Sequence, residues 1–377
     1  MEWIKNFVRN EIVLCVAFIL ALISSFIIRP SKEYIGYIDF RTLSILLSLM
    51  ITMAGFQKLS VFRQIGEHLV ARTNSIRGIV IILLMLCFFS SMFITNDVAL
   101  LTFVPFSIVT LSISGRKDLL VLVIVLETLA ANLGSMLIPL GNPQNLFLYS
   151  LSGLTILEFI GLMLPYSVLS LVLLLLSANI FLKKSQSVNV DIKPSIYKRS
   201  KMEKLQILIY IFTFILSLLV VIGYLKYYIV LAIIVGLTLV FDRRVLRKPD
   251  YSLLFTFIFL FIFIGNIKSI PLVSNVLVEI IKENEVGVSI LLSQFISNVP
   301  AAILTAGFTE NISKIIIGTN LGGLGTLIAS MASLISFKQY SYIEGATVKR
   351  YVKMFTTFNI VFLILLLIEH NVIVMIV

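Results

Sequence analysis

Charge is what this chain has least of. Asp, Glu, Lys and Arg make up 13% of its 377 residues, against about a quarter in a soluble globular domain. Histidine and cysteine occur twice each. Cys15 and Cys87 both lie in apolar runs, which indicates neither a disulfide framework nor a metal site. His68 and His370 fall near expected helix ends without a metal-ligand neighbour and read as surface residues. The chain also lacks the H-E-x-x-H, G-x-S-x-G and P-loop patterns. Gly322-Gly323-Leu324-Gly325 is glycine-rich but follows no strand, so no nucleotide site is expected. With no activated nucleophile or metal cluster, the expectation is that the protein is not an enzyme.

What is present is apolar. Hydrophobic residues reach 59%, the composition of a polytopic membrane protein embedded in lipid. The net charge of +11 comes largely from Lys and Arg in short inter-helix loops, where positive charge sets orientation, and no nucleic-acid partner is expected. Runs near 20 apolar residues predict spans at Ile12–Ile28, Thr42–Phe56, Leu119–Leu137, Ile156–Leu182, Leu205–Gly223, Tyr227–Phe241, Ser252–Gly265, Ile312–Ile335 and Tyr351–Val377. The first is too long for a signal peptide and lacks a small-x-small cleavage site, so it is expected to be retained. Two stretches fit poorly as single spans, because each carries polar residues in its middle. Gly78–Ser112 contains Thr95-Asn96-Asp97, and Val286–Phe308 contains Ser297-Asn298 followed by Pro300. Both read as re-entrant hairpins with the polar residues at the tip, where non-helical backbone must be buried in protein or line a wet cavity.

A short phrase is written twice. Phe93-Ile94-Thr95-Asn96 recurs as Phe295-Ile296-Ser297-Asn298, and Ala131-Asn132-Leu133-Gly134 recurs as Thr319-Asn320-Leu321-Gly322. The arms before the hairpins match too: Gly55-Phe56-Gln57-Lys58 precedes an amphipathic piece, and so does Gly265-Asn266-Ile267-Lys268. The basic segment Lys183–Lys204 is expected in the cytoplasm. Counting spans from it puts the amino terminus, with Lys5 and Arg9, inside and the carboxyl terminus outside. The Arg29–Arg41 loop then falls outside despite its basic residues. One hairpin opens from each side. The expected fold is therefore an all-α polytopic membrane protein of two inverted repeats, about nine spans plus two hairpins. Repeat 1 covers residues 1–182, with hairpin 78–112 and broken helix 119–152. Residues 183–226 form a basic loop and linker helix. Repeat 2 covers 227–377, with hairpin 286–308 and broken helix 312–335.

Pro139, Pro143, Gly134 and Gly141 break the first helix, and Gly318, Gly322, Gly323 and Gly325 break the second. An unwound stretch exposes carbonyls to cations and leaves a half-helix amino terminus facing an anion. The alternative is a structural kink or close helix packing. Asp97 at the first tip has Val299 as its counterpart, so one half would hold a coupling ion by carboxylate and the other would not. Asp97 could instead cap the returning arm, and the two roles are compatible. Glu127 on an apolar helix is a candidate for coupling or gating near Asp97. Lys338 reads as a cytoplasmic-end anchor rather than a substrate ligand. The second hairpin's short returning arm puts its tip at a shallower depth.

At these residues the chain resembles the ion transporter superfamily of divalent-anion/sodium symporters, citrate permeases, ArsB-type arsenite permeases and NhaD-type sodium/proton antiporters, and most closely its loosely described prokaryotic anion transporters. The resemblance implies an ion-coupled carrier for a small anion in the cytoplasmic membrane of a prokaryote, working as a homodimer whose transport domain moves like an elevator. It places the anion against Thr95, Asn96, Asn142, Pro143, Ser297, Asn298, Gly325 and Thr326. A coupling ion, a bound sodium or a proton, would draw on Thr95, Asn96, Asp97, Glu127, Asn132, Gly134, Ser297, Asn298, Asn320 and Gly322. The symporters' Ser-Asn-Thr tips are absent here, so the coupling ion stays open. The alternative is a sodium/proton antiporter or arsenite-type efflux permease.

Overall fold

A computed structural model describes residues 11–73, 75–182 and 198–376. Lys5, Arg9, Lys183, Lys184, Asp191 and Lys193 of the orientation argument, with Val377, lie outside these residues. The described residues are all helix and connection, with no strand among them. Among the described residues, eight helices are long and apolar enough to cross a membrane.

The chain begins with α1 (Ile12–Ile27), α2 (Glu33–Tyr37) and α3 (Phe40–Lys58). A short amphipathic arm, α4 (Val61–Val70), leads into the first hairpin, α5 (Ile76–Ile94) and α6 (Asn96–Ile113). The first broken helix is α7 (Leu120–Ser135) and α8 (Pro143–Ser152), followed by α9 (Ile156–Phe181). The linker helix α10 (Lys201–Val221) leads to α11 (Tyr227–Asp242) and α12 (Tyr251–Lys268). The second arm is α13 (Pro271–Glu283), and the second hairpin is α14 (Glu285–Ile296) and α15 (Asn298–Ala306). The second broken helix is α16 (Ile312–Gly322) and α17 (Met331–Ser341), and α18 (Val348–Ile376) closes the fold.

Both hairpins turn on one residue. Thr95 sits at φ 70, ψ 151 and Ser297 at φ 73, ψ 154. That region is nearly reserved for glycine, and a β-branched residue there is strained by about 1–3 kcal/mol. Its recurrence at matched places marks a backbone held by its surroundings. Gly66 on arm α4 faces Leu86 of one limb and Phe103 and Phe106 of the other, the register of an antiparallel hairpin. The limbs are unequal. The first hairpin has limbs of 19 and 18 residues, the second of 12 and 9. At helical rise the returning limbs span about 27 and about 14 Å, as the short spacing in the second half predicts.

The helices fall into two bodies. In one, α1 packs along α12, and α3 packs along α10 and α11. In the other, the hairpins and broken helices pack on one another, with α9 and α18 against α7. Lys58 and Tyr210 tie the first body at one end, both reaching the Asp242 carboxylate, at 2.7 and 3.1 Å.

Candidate functional site

Each broken helix is fastened first to its own hairpin. Gly134 lies so close to α5 that an added Cβ would fall 2.1 Å from the Phe88 carbonyl oxygen. Gly322 is likewise close to α14, where a Cβ would meet the Ser293 side chain at 2.6 Å. Ser91 and Ser293, each four positions before its tip residue, flank the two contacts. Both glycines therefore serve close helix approach in this structure.

Each broken helix is then fastened to the other repeat. Asn132, beside the first break, accepts from Asn96 at 3.0 Å and from Ser330 at 3.0 Å, and donates to Ser333 at 3.3 Å. One helical turn away Thr128 donates to Ser336 at 2.7 Å. Asn320, beside the second break, donates to Asn145 at 2.6 Å and accepts from Asn142 at 3.5 Å. The order of the first set, Ser330 to Asn132 and Ser336 to Thr128, makes α17 antiparallel to α7. The two broken helices are thus bonded to each other across the repeats, beside both hairpin tips. Buried amides could not remain here unpaired, so the cross-bonding fixes the register of the two halves.

Four helices begin at this meeting point: α6 at Asn96, α8 at Pro143, α15 at Asn298 and α17 at Met331. Their amino termini carry partial positive charge toward it. Asn142 caps α8 by accepting from the Asn145 N–H at 3.1 Å. A cavity of about 190 Å³ opens at the first tip. It is lined by Thr95, Asp97, Asn142 and Pro143 from the hairpin and break, and by Lys248 and Asp250 from the segment before α12. At roughly 30 Å³ of liquid per water, it holds about six waters or a small solute. A smaller space at the second tip is lined by Ser297, Val299, Glu11 and Asp250, so Asp250 stands between the tips.

Asp97 is half-buried and faces the larger cavity. Asn96 Oδ1 accepts from the Asp97 N–H at 3.0 Å. No side chain caps α6 from its N-cap position, Thr95, and Asp97 lines the cavity.

Other expected residues lie elsewhere. Glu127 is fully buried and accepts from Ser107, while its second oxygen has no hydrogen-bond partner. Ser107 is ten positions along α6 from Asp97, about 15 Å at helical rise, so Glu127 does not stand beside Asp97. Gly325 and Thr326 line neither cavity. They are held by Gln294, whose Oε1 accepts from the Thr326 N–H at 2.9 Å. Its Nε2 donates to the carbonyls of Gly322 and Leu324, at 3.0 and 2.9 Å. Sequence reading missed Gln294. Its only signal was a polar residue on an apolar limb, where the first half has Met92. His370 is a correction too: it is half-buried and bonds Tyr166 at 2.8 Å, so it is not a surface residue.

The model of the citrate transporter family matches residues 1–315. An uncharacterized transporter of Methanocaldococcus jannaschii is 37% identical over 317 residues, 83% of this chain and 84% of the relative. Inner membrane protein YbiR of Escherichia coli is 30% identical over 321 residues, 84% of each. The chain belongs to the citrate transporter family, and it is a multi-pass membrane transporter rather than an enzyme.

Proposed function

We propose that this chain is an ion-coupled secondary transporter of a small anion, a carboxylate or an inorganic oxyanion. The observation that carries the reading is the convergence of four half-helix amino termini on two hairpin tips around a solute-sized cavity. Such termini bind anions with backbone N–H groups and partial positive charge. In the same place α5, α7, α14 and α16 end, at Ile94, Ser135, Ile296 and Gly322, and present carbonyls suited to a cation. Thr95, Asn142, Pro143 and Ser297 would contact the anion. Asp97, with Asn96 and Asn132 behind it, would take the coupling sodium or proton.

Repeats 1–182 and 227–377 would rock the site between the two sides, the hairpin body sliding against the body of α1, α3, α10, α11 and α12. We place the amino terminus in the cytoplasm of a prokaryote, the carboxyl terminus outside, and two copies in a dimer. A second reading, a sodium/proton antiporter, is favoured by one observation: two carboxylates, Asp97 and Asp250, line the same cavity. Proteoliposomes separate the two. Uptake of radiolabelled citrate, succinate, sulfate or phosphate driven by a sodium or proton gradient, and lost in Asp97→Asn, is the expected result. Sodium/proton exchange without uptake of any of these anions would replace the first reading with the second.

A further inference from the structure

A second cavity, of about 210 Å³, lies beside the first, between arm α4 and the returning limb α6. Ser60, Arg63, Thr102, Pro105 and Val109 line it. The two cavities share Gln57 and Leu101 as a common wall. The second therefore continues the first along α6, away from the tip and toward the loop that carries Arg116 and Lys117.

The wall is more polar than an apolar limb requires. Pro105 has no N–H and cannot donate to the carbonyl four positions back, which is Leu101, the residue at the junction. Thr102 donates to Val98 at 2.8 Å, which leaves its hydroxyl oxygen able to accept. Ser60, in the left-handed region at φ 51, turns the chain from α3 into α4 and wraps the arm around the space. Arg63 engages Glu67 through Nε at 3.0 Å, and its side chain is 52% exposed. A guanidinium has five N–H donors, so most remain for a passing anion. Gln57, in the last turn of α3, lines both chambers.

We infer that the second chamber is a vestibule linking the tip cavity to the Arg116/Lys117 surface, with the Gln57 side chain as the gate between chambers and Arg63 as the residue that draws anions into it. The inference rests on the transporter reading above and adds the path and its selective residue.

Cysteine labelling tests it without knowledge of the substrate. The background is the full chain with Cys15→Ala and Cys87→Ala. Single cysteines are placed as Thr102→Cys and Val109→Cys in the vestibule, Val98→Cys in the tip cavity, and Lys117→Cys as the reference for side. A membrane-impermeant anionic methanethiosulfonate is added to one side of membrane vesicles. The expected result is that Thr102→Cys and Val109→Cys react from the side that labels Lys117→Cys. Gln57→Trp should then slow Val98→Cys at least tenfold and leave Thr102→Cys unchanged. Arg63→Gln should slow the anionic reagent at Thr102→Cys several-fold and spare a cationic one. Unreactive vestibule cysteines, or Val98→Cys indifferent to Gln57→Trp, would overturn the path. Equal effects of Arg63→Gln on both reagents would overturn the role of Arg63. A labelling pattern as expected with no anion uptake would keep the vestibule and remove the anion reading.

Discussion

The two hairpin tips share a backbone and differ in chemistry. Thr95 and Ser297 agree within a few degrees in both torsions, and both are followed by a buried Asn. Asp97 then faces a cavity of about 190 Å³, whereas Val299 faces one of about 20 Å³. The breaks diverge in the same way. The first is built from prolines and is mostly buried, while the second is pinned by Gln294 and leaves Thr326 exposed. Duplication has kept the geometry that positions helix ends and divided the labour, with charge in one half and a clamped wall in the other.

The largest effect expected from breaking this comparison comes from the close backbone approaches at the first break. Gly134→Ala would force a Cβ into the Phe88 carbonyl and Gly141→Ala into that of Ser135, at 2.1 and 1.9 Å. Both should abolish the folded, monodisperse protein by size-exclusion chromatography. Gly161→Ala, with nothing within 4 Å of the new methyl, should instead keep the protein folded and raise its melting temperature slightly.

Next comes the asymmetry itself. Asp97→Asn should reduce gradient-driven uptake to background while the protein stays folded. Adding Val299→Asp should not restore it, and that second change costs about 2.5–3.5 kcal/mol on insertion scales. Recovery of uptake in the double variant would show the halves to be interchangeable.

A smaller effect is expected at the clamp. Gln294→Met copies the first half's Met92 and removes the side-chain bonds to Gly322, Leu324 and Thr326. A loss of about 1–3 kcal/mol follows from the carbonyls left unpaired. Hydrogen exchange should quicken across residues 322–328 and stay unchanged across 136–142. The smallest effect is relief of strain. Thr95→Gly and Ser297→Gly should each raise thermal stability, by ~1 kcal/mol after glycine's own entropic cost. A fall at one tip alone would show that the two turns are held differently.

Much of this was legible in the chain. The doubled phrase located both tips, because polar residues inside long apolar runs have few places to go. Proline and glycine located both breaks, and the spacing from Asn298 to Asn320 foretold the shorter limbs of the second hairpin. What was not legible depended on contacts across the duplication. Asn132 with Ser330 and Asn320 with Asn145 pair residues nearly 200 positions apart, at 198 and 175. Nothing local marks such partners. Glu127 was misplaced because the sequence shows which residues lie on α7 but not that Glu127 meets α6 at Ser107, well away from the tip. Asp250 and Lys248 reach the cavity from the segment between two expected spans, Tyr227–Phe241 and Ser252–Gly265.

The central claim is that the broken helices of the two halves are cross-bonded beside the hairpin tips. Paired cysteines at Asn132 with Ser330, and at Asn145 with Asn320, test it directly in native membranes under mild oxidation. The account predicts rapid intramolecular disulfides in both pairs, the parent side chains bonding at 3.0 and 2.6 Å. Failure of both pairs to cross-link, with all four cysteines reacting instead with a lipid-soluble maleimide, would contradict it.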